Sequence, residues 1–270
     1  MAPPTRPIAF ILASTDHGTM IVNRFDRATA ENGESFGVGH RLLSGSSYDP
    51  EEAAMVARLL DARREYFGDG VNALDIGANI GVFTIEWSKH MTGWGQVVAF
   101  EAQERIFHAL CGNIAINNCF NARALFAAVT NQPGALRVPV PNYFRFGSFG
   151  SLELRQSTQT EDIGQPIDYS DEHMMKVPAT SIDAMGFGRL DLLKVDVEGM
   201  ELEVLAGARQ SIDRHHPIMI IEKIKTDEQS LRNVLAGSGY RIFVFGMNFV
   251  AIHPDDPTIE IVRERPARTA

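Results

Sequence analysis

The chain has 270 residues, of which 44% are hydrophobic and 22% charged, and this composition excludes a disordered or low-complexity protein. The net charge of −9 argues against nucleic acid as a partner, because proteins that neutralise phosphates are usually basic. No apolar stretch approaches the length of a membrane span, so we expect a cytoplasmic protein in which Cys111 and Cys119 are reduced thiols.

The first 48 residues predict a small β cap. Two apolar segments flank a turn at His17, which favours a hairpin with this histidine exposed to solvent. A glycine-rich loop is expected over 32–47. A helix is expected next, with Asp49 as its N-cap and Glu52 completing a capping box.

Strands and helices alternate along the rest of the chain. The predicted strands occupy 73–76, 97–100, 124–129, 190–197 and 217–222, followed by a hairpin over 240–245 and 248–253. This order predicts an α/β fold, with a mostly parallel, seven-stranded, Rossmann-like sheet and helices on both faces. We assign 1–48 to the cap and 49–270 to one α/β domain. Residues 130–180 break the alternation and predict an insertion that shapes a substrate pocket.

The segment ALDIGANIGVFTI predicts a glycine turn between the first strand and a helix. Ligands of open parallel sheets bind beyond the carboxyl ends of the strands, so Asp75, Gly77 and Gly81 lie at the expected site. The G-x-x-x-G spacing lacks the third glycine of a pyrophosphate-binding turn, and Asp75 would repel that group. Asp75 can instead receive an ammonium, and Glu101 after the second strand can accept two ribose hydroxyls. The turn therefore favours S-adenosylmethionine over NAD.

A second group of charged residues lies at the carboxyl ends of the fourth and fifth strands. Lys194, Asp196 and Glu198 recur at period two, and Glu222 ends the next strand. If these strands are neighbours, the three acids face one crevice. Burial of a charged group is costly, so charged residues at a buried strand end indicate a functional role for Asp196 and Glu198. Glu203 is instead expected to be a solvated residue of a first helical turn.

The sequence Asp196-Val197-Glu198-Gly199 lacks the proline and aromatic residue typical of enzymes that methylate base amines. It suits methylation of oxygen, in which a carboxylate orients or deprotonates a hydroxyl. Asp196, Glu198 and Glu222 can also bind Mg²⁺ through oxygen ligands. Carboxylates at strand ends often act without metal, so the sequence favours a site without one.

Residues 72–222 resemble the FkbM-type methyltransferases, above all in SIDAMGFGRLDLLKVDVEGMELEVLAGA and HPIMIIE, and also in LDIGANIGVFTI and VVAFEAQERIFHALCGNIAINN. One departure is that Ala102-Gln103 follows Glu101, where the family commonly has proline after this glutamate. The resemblance implies a class I methyltransferase fold, S-adenosylmethionine as donor, and O-methylation of a sugar or secondary metabolite. The implied donor contacts are Asp75, Gly77, Ala78, Asn79, Gly81, Glu101, Ala102 and Asp196. The implied catalytic residues are Lys194, Asp196 and Glu198.

Two alternative functions remain open from the sequence. One is a non-catalytic domain that binds S-adenosylmethionine, and the other is a NAD-dependent oxidoreductase. The expected partner is a small-molecule or glycan acceptor. The sequence does not indicate the oligomeric state.

Overall fold

A computed structural model gives the structure of residues 6–30, 32–158 and 160–263. The parts of the predicted cap and α/β domain at 1–5, 31, 159 and 264–270 lie outside the described residues. The strands are β1 (Phe10–Thr15), β2 (Gly18–Asn23), β3 (Ala28–Thr29), β4 (Ser35–Phe36), β5 (Val71–Ile76), β6 (Gly95–Glu101), β7 (Ala122–Phe126), β8 (Ala128–Val129), β9 (Gly134–Pro139), β10 (Met174–Thr180), β11 (Leu192–Val195), β12 (Ile218–Glu222), β13 (Arg241–Phe245) and β14 (Asn248–Ile252). The helices are α1 (Val38–Gly45), α2 (Pro50–Phe67), α3 (Val82–His90), α4 (Glu104–Ile116), α5 (Ile182–Met185), α6 (Glu201–Ala206), α7 (Arg209–His215), α8 (Glu228–Gly237) and α9 (Ile259–Arg263), with a 3₁₀ turn at Phe149–Ser151.

A seven-stranded sheet forms the centre of the molecule, in the order β13-β14-β12-β11-β5-β6-β7. The strands from β7 to β12 in this order pair in parallel, and β14 joins β12 antiparallel as one arm of the β13–β14 hairpin. The predicted sheet and its closing hairpin are confirmed. Strand order reverses at β5, so the crevice beyond β5 and β11 is the expected ligand position of such a fold.

Apolar layers cover both faces of this sheet. All six residues of β5 are buried, and their side chains alternate between the faces. Ala73 belongs to the apolar cluster that contains Trp87 of α3, whereas Leu74 belongs to the cluster that contains Val204 of α6 and Leu231 of α8. Among the residues that the structure describes, no helix is both long enough and apolar enough to cross a bilayer.

The predicted hairpin of the cap is confirmed as β1 and β2, and it packs on α4 through an apolar cluster that contains Met20 and Ile106. The expectation of an exposed histidine in its turn is wrong. His17 is buried; its Nδ1 lies 3.0 Å from Glu86 Oε1, and its Nε2 accepts a hydrogen bond from the Tyr48 backbone N–H at 2.9 Å. The turn is therefore buried where the cap packs against α3.

Two local predictions near α2 are also wrong. The segment 32–47 is not a continuous loop, because it contains β4 and α1. Asp49 adopts a positive φ of 42° and its side chain caps no helical N–H; it forms an ion pair with Arg41. Glu52 is buried and accepts a hydrogen bond from Asn248 Nδ2 at 2.8 Å instead of completing a capping box. Tertiary partners replace the local capping bonds.

Strands β9 and β10 of the segment 130–180 form a second, smaller sheet with β8, in the order β8-β10-β9. The predicted strand 124–129 is split in two by this sheet. Its first part, β7, ends at Phe126 in the central sheet, and its second part, β8, pairs in parallel with β10. Val138 and Val177 of the small sheet share an apolar cluster with Met200, just before α6. The segment is thus packed onto the α/β domain beside the carboxyl ends of its strands.

Candidate active site

A cavity of about 350 Å³ opens at the carboxyl ends of the central strands. The central sheet contributes Asp75, Glu101, Lys194 and Glu222, and the β11–α6 loop contributes Asp196 and Glu198. The cap contributes residues 36–38, and the 130–180 segment contributes residues 150–152. Small-molecule sites are typically ~300–1,000 Å³, so the cavity has the size of a metabolite site.

The glycine turn after β5 passes very close to the end of β11. Gly77 has a φ of 80°, and a Cβ at this position would lie 1.8 Å from the carbonyl oxygen of Asp196. Only glycine permits both this conformation and this approach. The contact explains why the turn and the acidic loop after β11 form one continuous wall.

The backbone N–H groups of residues 77–81 all donate hydrogen bonds within the protein. Their acceptors are Phe100 O for Gly77 and Ala78, Glu101 Oε2 for Asn79, Asn79 Oδ1 for Ile80, and Ala78 O for Gly81. A dinucleotide turn presents free N–H groups to a pyrophosphate. The N–H groups of residues 77–81 are all bonded within the protein and cannot bind a pyrophosphate, which argues against NAD as the ligand.

Asp75 is a buried carboxylate with one unpartnered oxygen. Its Oδ2 accepts a hydrogen bond from Thr84 Oγ1 at 2.6 Å, whereas its Oδ1 has no hydrogen-bond partner. Burial raises the pKa of this carboxyl group, and the positive charge of Lys194 opposes that rise. An unsatisfied buried acceptor costs on the order of 1–3 kcal/mol. Asp75 therefore favours a ligand that supplies a hydrogen-bond donor, such as an ammonium group.

Glu101 ends β6 and shapes the loop that follows it. Its Oε2 accepts from the Asn79 N–H at 2.9 Å, and its Oε1 accepts from the Gln103 N–H at 2.7 Å. Burial raises the pKa of Glu101 to about 7, against the lowering effect of these N–H groups. Each carboxylate oxygen retains a second lone pair, so the side chain can still accept hydroxyl groups from a ligand.

The remaining residues predicted to contact a donor divide into two groups. Ala78, Asn79 and Ala102 line the cavity. Gly81 does not line it; a Cβ at Gly81 would lie 2.4 Å from Leu110 Cδ1. Gly81 therefore lets α3 and α4 approach each other and is not part of the wall.

Lys194 and Asp196 form an ion pair at the end of β11. Lys194 is buried, and its Nζ donates to Asp196 Oδ2 at 2.7 Å and lies 5.1 Å from the centre of the Phe83 ring. The neighbouring carboxylates, Asp196 first, raise the pKa of Lys194 despite its burial. The lysine is therefore a fixed positive charge that holds Asp196 at the cavity wall.

The three acids predicted to share a crevice do so. One oxygen of each of Asp196, Glu198 and Glu222 lies within 4.8 Å of the other two. Glu198 has a positive φ of 53° and is paired with Lys225 Nζ at 2.7 Å. Burial and the charge of Asp196 raise the pKa of Glu198 to about 8 and that of Glu222 to about 9. Glu198 and Glu222 therefore keep their protons to higher pH than isolated glutamates do.

Glu201 fixes the loop that carries these acids. It is 1% exposed, and its Oε1 accepts from the N–H groups of Val197 and Gly199 at 3.1 and 3.2 Å. Glu203, predicted to be a solvated helical residue, is partly exposed and pairs with Arg155. The acid at 201 is therefore a support of the site, whereas the acid at 203 lies outside it.

Sequence reasoning missed several residues of the cavity. Tyr48 and Lys225 line it, and Gln103 supports it by donating from Nε2 to Phe149 O at 2.8 Å. Gln103 stood out only as a departure from the family pattern. Neither Tyr48 nor Lys225 belongs to a recognisable motif, although Lys225 lies only three residues after Glu222.

The strand order of the central sheet and the position of the cavity are those of the class I methyltransferase fold. A crystal structure of methyltransferase FkbM from Methylobacillus flagellatus KT aligns with a TM-score of 0.50 at 18% identity, over 71% of this chain and 48% of that one. The model of the methyltransferase FkbM domain matches residues 75–242. The chain belongs to the FkbM methyltransferase family.

Two fungal proteins are similar in sequence. Methyltransferase sdnD of Sordaria araneosa is 26% identical over 162 residues, which cover 53% of this chain and 61% of that protein. Methyltransferase 1 of Beauveria bassiana is 25% identical over 193 residues, which cover 66% of this chain and 75% of that protein. The match thus spans about three fifths of one relative and three quarters of the other.

Proposed function

We propose that this chain is an S-adenosylmethionine-dependent O-methyltransferase that acts on a hydroxyl of a sugar, glycan or secondary metabolite. The observation that carries the proposal is one cavity with two parts. One part is a glycine turn whose amides are all bonded internally, and the other is the carboxylate cluster after β11 and β12. The first part suits a donor without phosphate, and the second suits an acceptor hydroxyl.

The residues around the turn fit such a donor. The unpartnered Oδ1 of Asp75 is a site for the ammonium group. The spare lone pairs of Glu101 suit the ribose hydroxyls, and Ala78 and Ala102 provide small apolar walls. The cap and the 130–180 segment would close the acceptor side, since both contribute to the cavity.

We propose Asp196 as the general base that contacts the acceptor hydroxyl. Bound S-adenosylmethionine supplies a methyl group on a sulfonium, which becomes a neutral thioether once the acceptor oxygen has taken the methyl. Asp196 orients the hydroxyl and accepts its proton, and Lys194 holds the carboxylate in place through the 2.7 Å contact. Glu198 stands beside it and is held by Lys225.

Calorimetric titration with S-adenosylhomocysteine, with NAD in parallel, tests the donor part of this proposal. We expect the former to bind and NAD not to bind. Glu101→Gln should weaken binding by roughly 1.5–3 kcal/mol, about 10- to 150-fold, because a charged acceptor is lost. Glu104→Gln is the matched control, since Glu104 is a partly exposed neighbour that forms an ion pair with Arg105 at 3.5 Å. Binding of NAD alone would instead support the oxidoreductase.

Transfer of a labelled methyl group to a panel of free sugars, glycosides and other alcohols tests the acceptor part. Asp196→Asn should leave the affinity for S-adenosylhomocysteine unchanged and slow transfer by about 10²–10⁴-fold, the usual contribution of a general base. Full activity in this variant would remove Asp196 from the role of base. Donor binding without transfer to any hydroxyl compound would favour the non-catalytic alternative.

A further inference from the structure

The carboxyl groups that line the cavity outnumber its cationic side chains by six to three. Among the described residues, its carboxyl groups are Asp75, Glu101, Glu161, Asp196, Glu198 and Glu222, and its cationic side chains are Arg41, Lys194 and Lys225. Arg41 also serves Asp49 outside the cavity. S-adenosylmethionine carries a net charge of +1, from two cationic groups and one carboxylate. At least two negative charges are therefore left when all the groups are ionised.

Three of these acids converge at the acceptor end. Asp196 and Glu198 follow β11, Glu222 ends the neighbouring strand β12, and their oxygens lie within 4.8 Å of one another. The backbone of the loop between Asp196 and α6 is held by Glu201. The backbone positions of Asp196 and Glu198 are therefore fixed by the loop, and that of Glu222 is fixed by the sheet.

Glu222 has a buried oxygen that no group in the described structure satisfies. It is 8% exposed, its Oε2 is buried without a hydrogen-bond partner, and no lysine pairs with it. Of the two oxygens of Asp196, Lys194 bonds Oδ2, and of the two oxygens of Glu198, the ion pair with Lys225 involves Oε2. One oxygen of each of those two acids therefore remains available beside the unpartnered carboxyl of Glu222.

We propose that Asp196, Glu198 and Glu222 bind one hard divalent cation, Mg²⁺ or Mn²⁺, at the acceptor end of the cavity. Carboxylate oxygens are the ligands that these ions prefer, and three protein ligands leave coordination positions for water and for an acceptor oxygen. The cation offsets the residual charge and polarises the acceptor hydroxyl. In this role the inference rests on the proposed function, but cation binding itself does not require turnover.

The test is a titration of the chelator-treated protein with MnCl₂ at pH 8, with saturating S-adenosylhomocysteine, followed by the electron paramagnetic resonance signal of free Mn²⁺. We expect one Mn²⁺ per chain, and binding at least tenfold weaker in Glu222→Gln and in Glu198→Gln. Glu203→Gln is the matched control, because Glu203 pairs with Arg155 outside the cluster. Thermal unfolding of each variant checks that it is folded.

Absence of Mn²⁺ binding in the folded wild-type protein overturns the inference, and so does equal binding by wild type and both cluster variants. In those cases protons, not a cation, balance the cluster. The affinity for S-adenosylhomocysteine is measured separately on the same preparations. A protein that binds S-adenosylhomocysteine but no Mn²⁺ contradicts the cation site alone, whereas one that binds no S-adenosylhomocysteine contradicts the proposed function.

Discussion

Asp26, in the loop after β2, joins the cap to the 130–180 segment through one carboxylate. Its Oδ2 accepts from the Gly39 N–H at 2.8 Å, and its Oδ1 accepts from the Phe149 N–H at 3.0 Å. Asp26 is 4% exposed, and burial raises its pKa to about 6 despite these bonds. The folded protein therefore holds this proton more tightly than the unfolded chain, whose aspartate pKa is about 3.9.

The sign of the resulting pH effect follows from linkage. Between about pH 4 and 6 the folded state binds more protons at Asp26 than the unfolded state, so its contribution to the free energy of unfolding falls as pH rises. Asp26→Asn cannot titrate and leaves one backbone N–H facing an amide, which costs on the order of 1–3 kcal/mol. We expect the destabilisation relative to wild type to be larger at pH 5 than at pH 8.

Urea unfolding of wild type and Asp26→Asn at the two pH values measures this difference. Asp16→Asn is the control, since Asp16 is an exposed residue of the β1–β2 turn. An equal loss of stability at pH 5 and pH 8 would show that the pKa of Asp26 is not raised in the folded protein.

At the scale of elements, Gln103 connects the β6–α4 loop to the segment that covers the cavity. Its Nε2 donates to Phe149 O at 2.8 Å, and its Oε1 accepts from Tyr143 Oη at 3.1 Å. Gln103 is buried, and the rings of Tyr143 and Phe149 pack at an interplanar angle of 50° with their centres 4.9 Å apart. Gln103 belongs to the Ala102-Gln103 pair that follows Glu101, in place of the Glu-Pro pattern of the resemblance. The pair that departs from the pattern therefore contains a residue with a structural role.

Gln103→Ala should therefore loosen the 130–180 segment. The change leaves the Phe149 carbonyl and the Tyr143 hydroxyl without these partners, and we expect a loss of stability of about 1–3 kcal/mol. Limited proteolysis should cut residues 130–180 faster, and the affinity for S-adenosylhomocysteine should fall because the loop after Glu101 is less fixed. Gln132→Ala, on the exposed side of the same segment, is the control. Unchanged proteolysis and affinity would contradict the coupling.

At the scale of the whole molecule, a buried ion network ties α2 to the C-terminal part of the chain. Arg63 contacts Asp191 at 3.0 Å and Asp256 at 2.6 Å, and all three are at most 5% exposed. Asp191 also accepts from Arg189 Nε and from the Asn72 N–H. The network lies at the amino ends of β5 and β11, opposite the cavity.

Arg63→Met should destabilise the protein by about 3–5 kcal/mol, because it leaves two buried carboxylates short of their countercharge. Urea unfolding measures this loss, with Arg64→Met as the control, since Arg64 makes an exposed pair with Asp69 worth at most about 1 kcal/mol. The affinity of the folded variant for S-adenosylhomocysteine should match that of wild type. A loss of affinity without a loss of stability would contradict the separation of the network from the site.

Much of the architecture could be predicted because it depends on patterns that are local in the chain. Consecutive residues predict the buried strand β5, the glycine turn after it and the alternation of strands with helices. Four acids lie within one residue of the end of a predicted strand, namely Asp75, Glu101, Asp196 and Glu222. Parallel strands bring such ends to one edge of a sheet. The sequence alone therefore determined the central sheet and the acidic edge where the cavity lies.

Tertiary structure decided the features that depend on partners distant along the chain. Asp49 and Glu52 have the residue types of a capping box, but Arg41 and Asn248 bind them instead. The strand predicted over 124–129 divides because β10 offers a second set of backbone partners to β8. The pairing of Glu198 with Lys225 and the unpartnered state of Glu222 likewise follow only from packing. Such contacts depend on which segments pack together in three dimensions, and the local periodicity of a sequence does not predict that packing.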